Sequence, residues 1–122
     1  MPGTMPQPCD IVLLHFPFTD LSASKLRPVL VMTDVTVSGD FLAAQVTSQI
    51  HHRVQVPLRD SDFELGRLPK TSIVRPDKIF TLNQSLVVRR VGQLSRLAFD
   101  RIHAEICQHL GCKKSAFTRI ES

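Results

Sequence analysis

Arg75 and Asp77 are two positions apart in a segment, Ser72–Phe80, that is predicted to be extended. Side chains at i and i+2 of a strand lie on one face, so we expect the guanidinium and the carboxylate to meet. A neighbouring cation favours the ionised carboxylate, which could take a proton from a hydroxyl at neutral pH. Arginine scarcely releases its own proton, so Arg75 should stabilise developing negative charge before it acts as an acid. The alternative is an ion pair that braces an edge strand.

Arg27 is the second candidate, at the end of a polar loop that joins two apolar runs. The runs, Ile11–Phe16 and Val29–Met32, have the length and the β-branched content of buried strands. Pro28 fixes its own φ and favours an extended Arg27, and Lys25 adds a second positive charge nearby. The planar fork of Arg27 suits a phosphate, so the pattern predicts a phosphate clamp. A solvated loop charge is the alternative.

Polar side chains also follow the third predicted strand, Phe41–Thr47. Thr47, Ser48 and Gln49 could bond phosphate oxygens or base edges, or they could simply form a turn. The nearby pair His51-His52 cannot easily act together, because adjacent strand residues face opposite ways. We expect that pair to be solvated in a loop.

Composition favours one soluble, cytoplasmic domain with a moderately basic surface. The chain has 122 residues, 43% of them hydrophobic, with a net charge of +4 and a pI of about 9.3. It is long enough for one core, and no apolar run approaches the roughly 20 residues that span a bilayer. A basic surface attracts polyanions. We expect a flexible lead-in at 1–8, one domain at 9–112 and a polar tail at 113–122.

The three cysteines do not form a disulfide or metal-binding pattern. Cys9, Cys107 and Cys112 are odd in number and lack CxxC spacing, which predicts reduced thiols. Zinc would need more Cys or His at ligand spacing, and no clustered carboxylates suggest magnesium. We therefore expect no metal and no other cofactor. Cys107 should pack as a small hydrophobe, and Cys112 should be exposed.

Further strands are predicted at Arg53–Leu58, Ser72–Phe80 and Leu86–Val91, with Pro76 marking an edge or a bulge. Asp60–Lys70 fits a loop or a short helical turn. The spacing then becomes helical: Ser95 is an N-cap, Leu94 and Phe99 form a hydrophobic staple, and Gly111 ends the helix. The predicted apolar stripe comprises Phe99, Ile102, Ile106 and Leu110. Short strands followed by one helix predict a mainly β fold, a small SH3-like barrel with a C-terminal α-helix.

Over roughly residues 9–111 the chain resembles the MazF/PemK family of bacterial toxins. The matching segments are Asp10-Ile11-Val12 with Arg27-Pro28-Val29-Leu30-Val31, then Val46-Thr47-Ser48-Gln49, and finally Val74-Arg75-Pro76-Asp77. The resemblance implies a MazF/CcdB-like barrel, a two-fold homodimer and a metal-independent endoribonuclease. Such a toxin cuts single-stranded messenger RNA at a short sequence, leaving a 2′,3′-cyclic phosphate and a 5′-hydroxyl.

The resemblance also implies residue roles and partners. Asp77 would be the general base, Arg75 and Arg27 the charge stabilisers or the acid, and Thr47 a phosphate anchor. The implied RNA-binding residues are Lys25, Ser48, Gln49 and Lys78. An acidic antitoxin would bind the dimer, DNA would be contacted only through that complex, and no membrane is involved.

Two positions depart from the family pattern. Leu26 stands where many relatives carry a basic residue, which should weaken RNA affinity rather than chemistry. Cys9 replaces a glycine that often precedes the first Asp, so we expect the start of the first strand to differ.

Two other functions are considered. A related toxin group with this fold binds DNA gyrase through an aromatic residue near its C-terminus and is not an enzyme. This chain ends Arg119-Ile120-Glu121-Ser122, which disfavours that mode. The third possibility is an inactive barrel that only binds RNA or protein.

Overall fold

The computed structural model describes residues 5–15, 25–51 and 53–112, in which seven strands form one antiparallel sheet and one helix follows them. The sheet curls into a half-barrel, which confirms the predicted mainly β fold with a C-terminal helix. The elements are β1 (Asp10–His15), β2 (Leu26–Val31), β3 (Asp40–Thr47), β4 (Val56–Leu58), β5 (Phe63–Gly66), β6 (Ser72–Asn83), β7 (Val87–Leu94) and α1 (Arg96–Leu110).

The strand order across the sheet is β4-β6-β3-β2-β1-β7-β5. The central strands are apolar on both faces because each face is covered. On one face, Ile11 and Leu30 belong to a cluster that includes Phe99 and Ile102 of α1. On the other face, their neighbours Val12 and Val29 pack with Phe41 and Leu82. Burial on both faces explains why these strands are continuous apolar runs instead of alternating patterns.

Helix α1 begins and ends where the capping residues predict. The Ser95 hydroxyl accepts a hydrogen bond from the Ala98 N–H at 3.2 Å, and Gly111 ends the helix with a φ of 80°. Leu94 and Phe99, the predicted staple, lie in one core cluster. The apolar stripe is wrong at its end, because Leu110 is 67% exposed. Residues 108–112, in the last turn of α1 and just after it, are all exposed.

Several predicted boundaries shift because strand pairing extends the elements. β2 begins at Leu26, since Leu26 and Arg27 pair with His15 and Leu14 of β1; Arg27 is therefore in a strand and not in the loop. β4 covers only the end of the predicted Arg53–Leu58 strand. The segment 60–70 contains a 3₁₀ turn at 60–62, as one alternative predicted, and also the unpredicted strand β5. Phe16 and the rest of the loop at 16–24 lie outside the described residues.

Pro76 lies at a bulge, which confirms one of the two predicted roles. Ala44 of β3 pairs with Ile79 of β6, yet the next residue, Gln45, pairs with Arg75. Residues 76–78 therefore leave the ladder, where the missing N–H of a proline costs nothing. The strand itself is internal, between β3 and β4, so the edge assignment is wrong.

Cys9 corrects the expectation drawn from the missing glycine. It adopts a φ of 83°, the left-handed conformation that a glycine would allow. Its N–H donates to the Val31 carbonyl at 3.2 Å, and its own carbonyl accepts from Leu94 at 2.8 Å. These bonds hold the cysteine in a conformation that typically costs about 1–2 kcal/mol for a residue with a Cβ. The positive φ that a glycine would allow is thus present here at a cysteine.

No helix in the described ranges combines the length and apolarity needed to cross a membrane.

Candidate functional site

A groove of about 600 Å³ lies between the start of β2, the end of β3 and the loop that joins β5 to β6. We call it the basic groove. Four of the residues predicted from the sequence line it: Lys25, Arg27, Thr47 and Ser48. Strands distant in sequence therefore bring two of the three predicted segments together at one surface.

Among the described residues, the groove is lined by basic side chains and by no acidic one. The basic residues are Lys25, Arg27, Arg67, Lys70, Arg89 and Arg90. Only Arg67 and Arg90 have a carboxylate partner among the described residues: Asp60 at 3.6 Å, on an exposed pair, and Asp10 at 3.4 Å. Uncompensated positive charges around a concave surface create a potential that concentrates a polyanion there.

Arg27 is held extended by the β1–β2 ladder, as Pro28 predicts. Its Nε atom is buried and has no hydrogen-bond partner among the described residues. A buried donor left unsatisfied typically costs about 1–3 kcal/mol. A phosphate oxygen in the groove would satisfy a guanidinium donor, since the planar fork matches phosphate geometry.

Thr47 and Ser48 lie at the end of β3 beside Arg27, while Gln49 does not line the groove. The Thr47 hydroxyl accepts a hydrogen bond from the Gln49 N–H at 3.1 Å. This is the side-chain-to-backbone bond of a turn, so Thr47 does form a turn as the alternative predicted. Its hydroxyl hydrogen is not used in that bond and can still be donated to a phosphate oxygen.

Arg75 and Asp77 meet as the i, i+2 spacing predicts. The Nε and Nη2 atoms of Arg75 donate to the two carboxylate oxygens of Asp77 at 3.1 Å and 2.7 Å. Both side chains are largely buried, 18% and 24% exposed. The hydrogen bond from Arg75 holds the pKa of Asp77 below its ordinary value, although burial acts to raise it. The charge of His109 also lowers this pKa. The carboxylate is therefore ionised at neutral pH.

Neither Arg75 nor Asp77 lines the basic groove, and Lys78, which is exposed, does not line it either. The link between the two places is Gln45 of β3. It pairs with Arg75 on one side and with Val29 of β2 on the other, and it lines the groove. Arg75 therefore points to the same face of the sheet as Val29 and Arg27 of β2. The backbones of β6 and β2 are two strand spacings, about 10 Å, apart.

Four groove residues were not singled out in the sequence: Arg67, Lys70, Arg89 and Arg90. The only local signal was a pair of adjacent arginines inside a predicted strand. Their convergence depends on the pairing of β7 with β1 and on the β5–β6 loop, which local periodicity does not reveal.

The remaining histidines and cysteines that the structure describes form no second cluster of chemical groups. His51 is exposed as predicted, and His52 lies outside the described residues. His15 ends β1 and is exposed. Cys107 is only partly buried, with its sulfur 3.7 Å from Nδ1 of His103, and Cys112 is exposed as predicted. In the described ranges no three His, Cys, Asp or Glu side chains are placed to hold a metal ion.

Solved structures of toxins share this fold. The MazE–MazF complex of Deinococcus radiodurans aligns with a TM-score of 0.71 at 20% identity, covering 91% of this chain and 100% of that one. MazF alone from the same organism aligns at 0.70 and 21% identity, covering 89% and 99%. A mycobacterial endoribonuclease bound to its cognate antitoxin aligns at 0.69 and 18% identity, covering 91% and 98%. At these identities the likeness concerns the fold.

Sequence comparison assigns the family. No curated protein sequence matches the chain significantly. A family profile described as "PemK-like, MazF-like toxin of type II toxin-antitoxin system" matches residues 7–110, which include all of the strands, the basic groove and the Arg75–Asp77 pair. With the half-barrel fold, this match shows that the chain belongs to the PemK-like, MazF-like toxin family of type II toxin–antitoxin systems.

Proposed function

We propose that this protein is a metal-independent endoribonuclease that cuts single-stranded messenger RNA as the toxin of a toxin–antitoxin pair. The observation that carries the proposal is the basic groove, in which Arg27 and Thr47 converge and whose described lining contains no acidic residue. Membership of the toxin family supports it, as does the fold shared with mycobacterial endoribonucleases.

In the proposed reaction the ribose 2′-oxygen attacks the adjacent phosphorus. The 2′-hydroxyl loses its proton to Asp77, the bond from phosphorus to the 5′-oxygen breaks, and that oxygen takes a proton from water. The products are a 2′,3′-cyclic phosphate and a 5′-hydroxyl. Arg27 stabilises the charge on the non-bridging oxygens, and Thr47 anchors the phosphate. A positioned donor of this kind is typically worth about 3–4 kcal/mol.

The ion pair fits this scheme when the reacting phosphate lies on the β6 side of the groove, within reach of the side chains of both Arg27 and Asp77. Asp77 is ionised, but its lowered pKa makes it a weaker base than an isolated aspartate. Arg75 uses only Nε and one Nη atom on Asp77, so its other N–H groups can bind the phosphate. A phosphate that draws Arg75 away would raise the pKa of Asp77 just where a proton must be taken.

The other residues and partners follow from the same proposal. Lys25 and Ser48 in the groove would bind neighbouring phosphates, with Gln49 and Lys78 as outer RNA contacts. The acidic antitoxin would occupy the basic groove of a homodimer, as charge complementarity favours, and would alone bring the toxin to DNA. The protein would act in the cytoplasm, where messenger RNA is translated.

The experiment incubates the purified protein with single-stranded RNA in EDTA and determines the chemistry of the fragment ends. The wild-type protein should give 2′,3′-cyclic phosphate ends without added metal. Arg27→Ala and Asp77→Asn should each lower kcat by about 10²–10³-fold, because each removes a group that acts on the transition state. Arg96→Gln is the matched control, since Arg96 is 72% exposed on α1 and does not line the groove.

The alternatives give different results in the same assay. Metal-free RNA binding without fragments would indicate an inactive binding barrel, and gyrase-dependent DNA breaks would indicate the gyrase-directed toxin. The residues Arg119 to Ser122, on which the gyrase mode would depend, lie outside the described residues. Wild-type cleavage by Asp77→Asn would reduce the Arg75–Asp77 pair to a brace for the bulge in β6.

A further inference from the structure

A second cavity of about 550 Å³ lies next to the basic groove and is not used by the proposed chemistry. We call it the N-terminal cavity, because Met5 and Pro6 form one of its walls. Asp10 and Val12 of β1 and residues 87–90 of β7 line the rest, together with Gln84. Its volume falls in the range of about 300–1,000 Å³ that is typical of small-molecule sites.

Arg89 and Arg90 connect the two cavities, because both residues line both of them. Adjacent residues of a regular strand point to opposite faces. Here two bulges in β7 flank the pair, because Val91 and Val88 have no pairing partner in β1. Val91 is skipped between the partners of Ile11 and Val12, and Val88 between those of Leu13 and Leu14. Bulges of this kind bend a strand and redirect side chains, often beside binding sites.

Asp10 fixes the position of Arg90. The aspartate is only 1% exposed, and its Oδ1 accepts from Nη1 of Arg90 at 3.4 Å and from Nε2 of Gln93 at 3.1 Å. The N–H of Gln7 donates to the other oxygen at 3.2 Å. Arg90 is thus held at one guanidinium nitrogen while 35% of its side chain stays exposed at the junction of the cavities.

The walls of the N-terminal cavity suit a flat, partly polar ligand. Met5, Pro6, Val12, Val87 and Val88 supply apolar surface, and Gln84 offers an amide that can both donate and accept hydrogen bonds. Asp10, the only acidic residue in the described part of the lining, is already paired with Arg90. Apolar surface for a ring, an amide for a ring edge and two arginines for a phosphate are the features that a nucleotide requires.

We propose that the N-terminal cavity binds the base of the RNA nucleotide next to the phosphate held in the basic groove. Arg89 and Arg90 contact the backbone that joins the two nucleotides, and Asp10 is a positioning residue for Arg90. The inference rests on the proposed function for its ligand, and it adds a subsite that sets which base stands beside the cut.

The first test measures binding of a fluorescein-labelled 2′-O-methyl RNA hexamer of randomised sequence, which cannot be cleaved. Arg90→Gln should weaken binding about tenfold, because a charge-assisted bond to phosphate is lost. The slope of log K against log salt should fall by about 0.7. Arg96→Gln removes the same charge from α1, away from both cavities, and should leave the slope unchanged. An equal effect of both variants would overturn the proposal.

The second test reports on the cavity itself. The chain contains no Trp, so Val88→Trp places a single indole at the cavity, on a residue that is 50% exposed and tolerant of a strand-forming side chain. Adding the unlabelled hexamer should change its emission, because a base stacks in its vicinity. Leu97→Trp, 83% exposed on α1, is the matched control and should not respond. Unchanged Val88→Trp emission at RNA concentrations that saturate the anisotropy assay would place the RNA elsewhere.

Asp10 is tested by its dependence on Arg90. Asp10→Asn should weaken binding in the wild-type background and should have no further effect in Arg90→Gln, because a positioning residue acts through the group it holds. Additive effects would exclude positioning. Since Asp10 is buried, unfolding of the variant is checked by circular dichroism, and the tryptophan test remains valid if it does not fold.

These tests separate the subsite from the proposed function. If wild-type protein binds the hexamer and Val88→Trp responds, but natural RNA is not cut, the subsite stands and the nuclease proposal fails. If RNA is cut but Arg90→Gln and Val88→Trp behave as their controls do, only the subsite fails. An emission change with Val88→Trp that depends on protein concentration and not on RNA would mark the cavity as a contact between two copies of the chain.

Discussion

At the scale of single residues, the Arg75–Asp77 pair links charge to structure. Two hydrogen bonds close the pair over the bulge of β6, and the low pKa of Asp77 means that the folded state holds its carboxylate ionised. The same geometry can brace a bulge and hold a base. Because both bonds join residues that are two positions apart in one strand, the pair was predictable from the i, i+2 spacing alone.

The loss of stability in Arg75→Gln should depend on pH, and the lowered pKa of Asp77 determines the direction of that dependence. The folded-state pKa of Asp77 is depressed, so the pair contributes stability above the unfolded value of about 3.9, and that contribution is lost as pH falls through the lower folded value. Urea unfolding should therefore show the variant less stable than wild type at pH 7. The difference should shrink below about pH 4. A pH-independent difference would mean that Arg75 stabilises the fold by packing and not by charge.

Other residues of the site could not be predicted from local pattern. Arg67 and Lys70 belong to a polar stretch, and Arg89 and Arg90 are two adjacent charges inside a predicted strand, with no spacing that assigns them to a site. Each reaches the groove only because long-range pairing folds β7 against β1 and brings the β5–β6 loop beside β2. Lys78 shows the converse, since it lies next to the Arg75–Asp77 pair in sequence, within the bulge of β6, and does not line the groove.

At the scale of elements, the site depends on irregular strands. The bulge in β6 carries Asp77 and two bulges in β7 flank Arg89 and Arg90, while the regular β1–β2 and β2–β3 ladders hold Arg27 beside the end of β3. The apolar runs and the caps of α1 predicted the regular elements well. β5 was missed because it has only four residues, none fully buried, so it lacks a periodic signal.

Gly66 is the element-level residue whose replacement should be most informative. It has a φ of +65°, and a Cβ there would collide with the Val91 carbonyl of β7. Gly111 has a similar φ of +80°, but beyond its chain neighbours and the helix backbone no described residue comes within 4 Å of its Cβ position. Both Ala variants should lose about 1–2 kcal/mol from the left-handed backbone. Gly66→Ala should lose more, because β5 must also move away from β7.

Thermal and urea unfolding of the two glycine variants provide the comparison. Equal losses of unfolding free energy would show that β5 does not approach β7 as closely as the structure indicates. A further consequence concerns Arg89 and Arg90: displacement of β5 disturbs the strand that carries them, so Gly66→Ala should also weaken RNA binding, whereas Gly111→Ala should not.

At the scale of the whole molecule, the fold gathers charge on one surface. The net charge is only +4, yet the basic residues of the groove come from three separate parts of the chain, 25–27, 67–70 and 89–90, and no described carboxylate lines the groove with them. Composition suggested polyanion binding weakly, and the folded arrangement explains how a modest excess becomes a local field.

RNA binding should therefore weaken as salt rises, and the number of basic residues in the groove sets the upper limit of that effect. If all six basic residues of the groove neutralise phosphates, log K should fall with log salt with a slope of about −4, from about 0.7 per contact on single strands. Lys25→Gln should reduce that slope by about 0.7, and Arg53→Gln, outside the groove, should not. A slope near zero would mean that the groove does not bind the RNA backbone.

The central claim is that Arg27 in the basic groove stabilises charge at the phosphate that is cut. The most direct measurement is single-turnover RNA cleavage in EDTA by wild-type protein and by Arg27→Ala and Arg27→Lys, with Arg96→Gln as the control. We predict 2′,3′-cyclic phosphate products from wild type and the control, a loss of about 10²-fold or more in Arg27→Ala, and partial recovery in Arg27→Lys. Cleavage by a correctly folded Arg27→Ala at the wild-type rate would contradict the account.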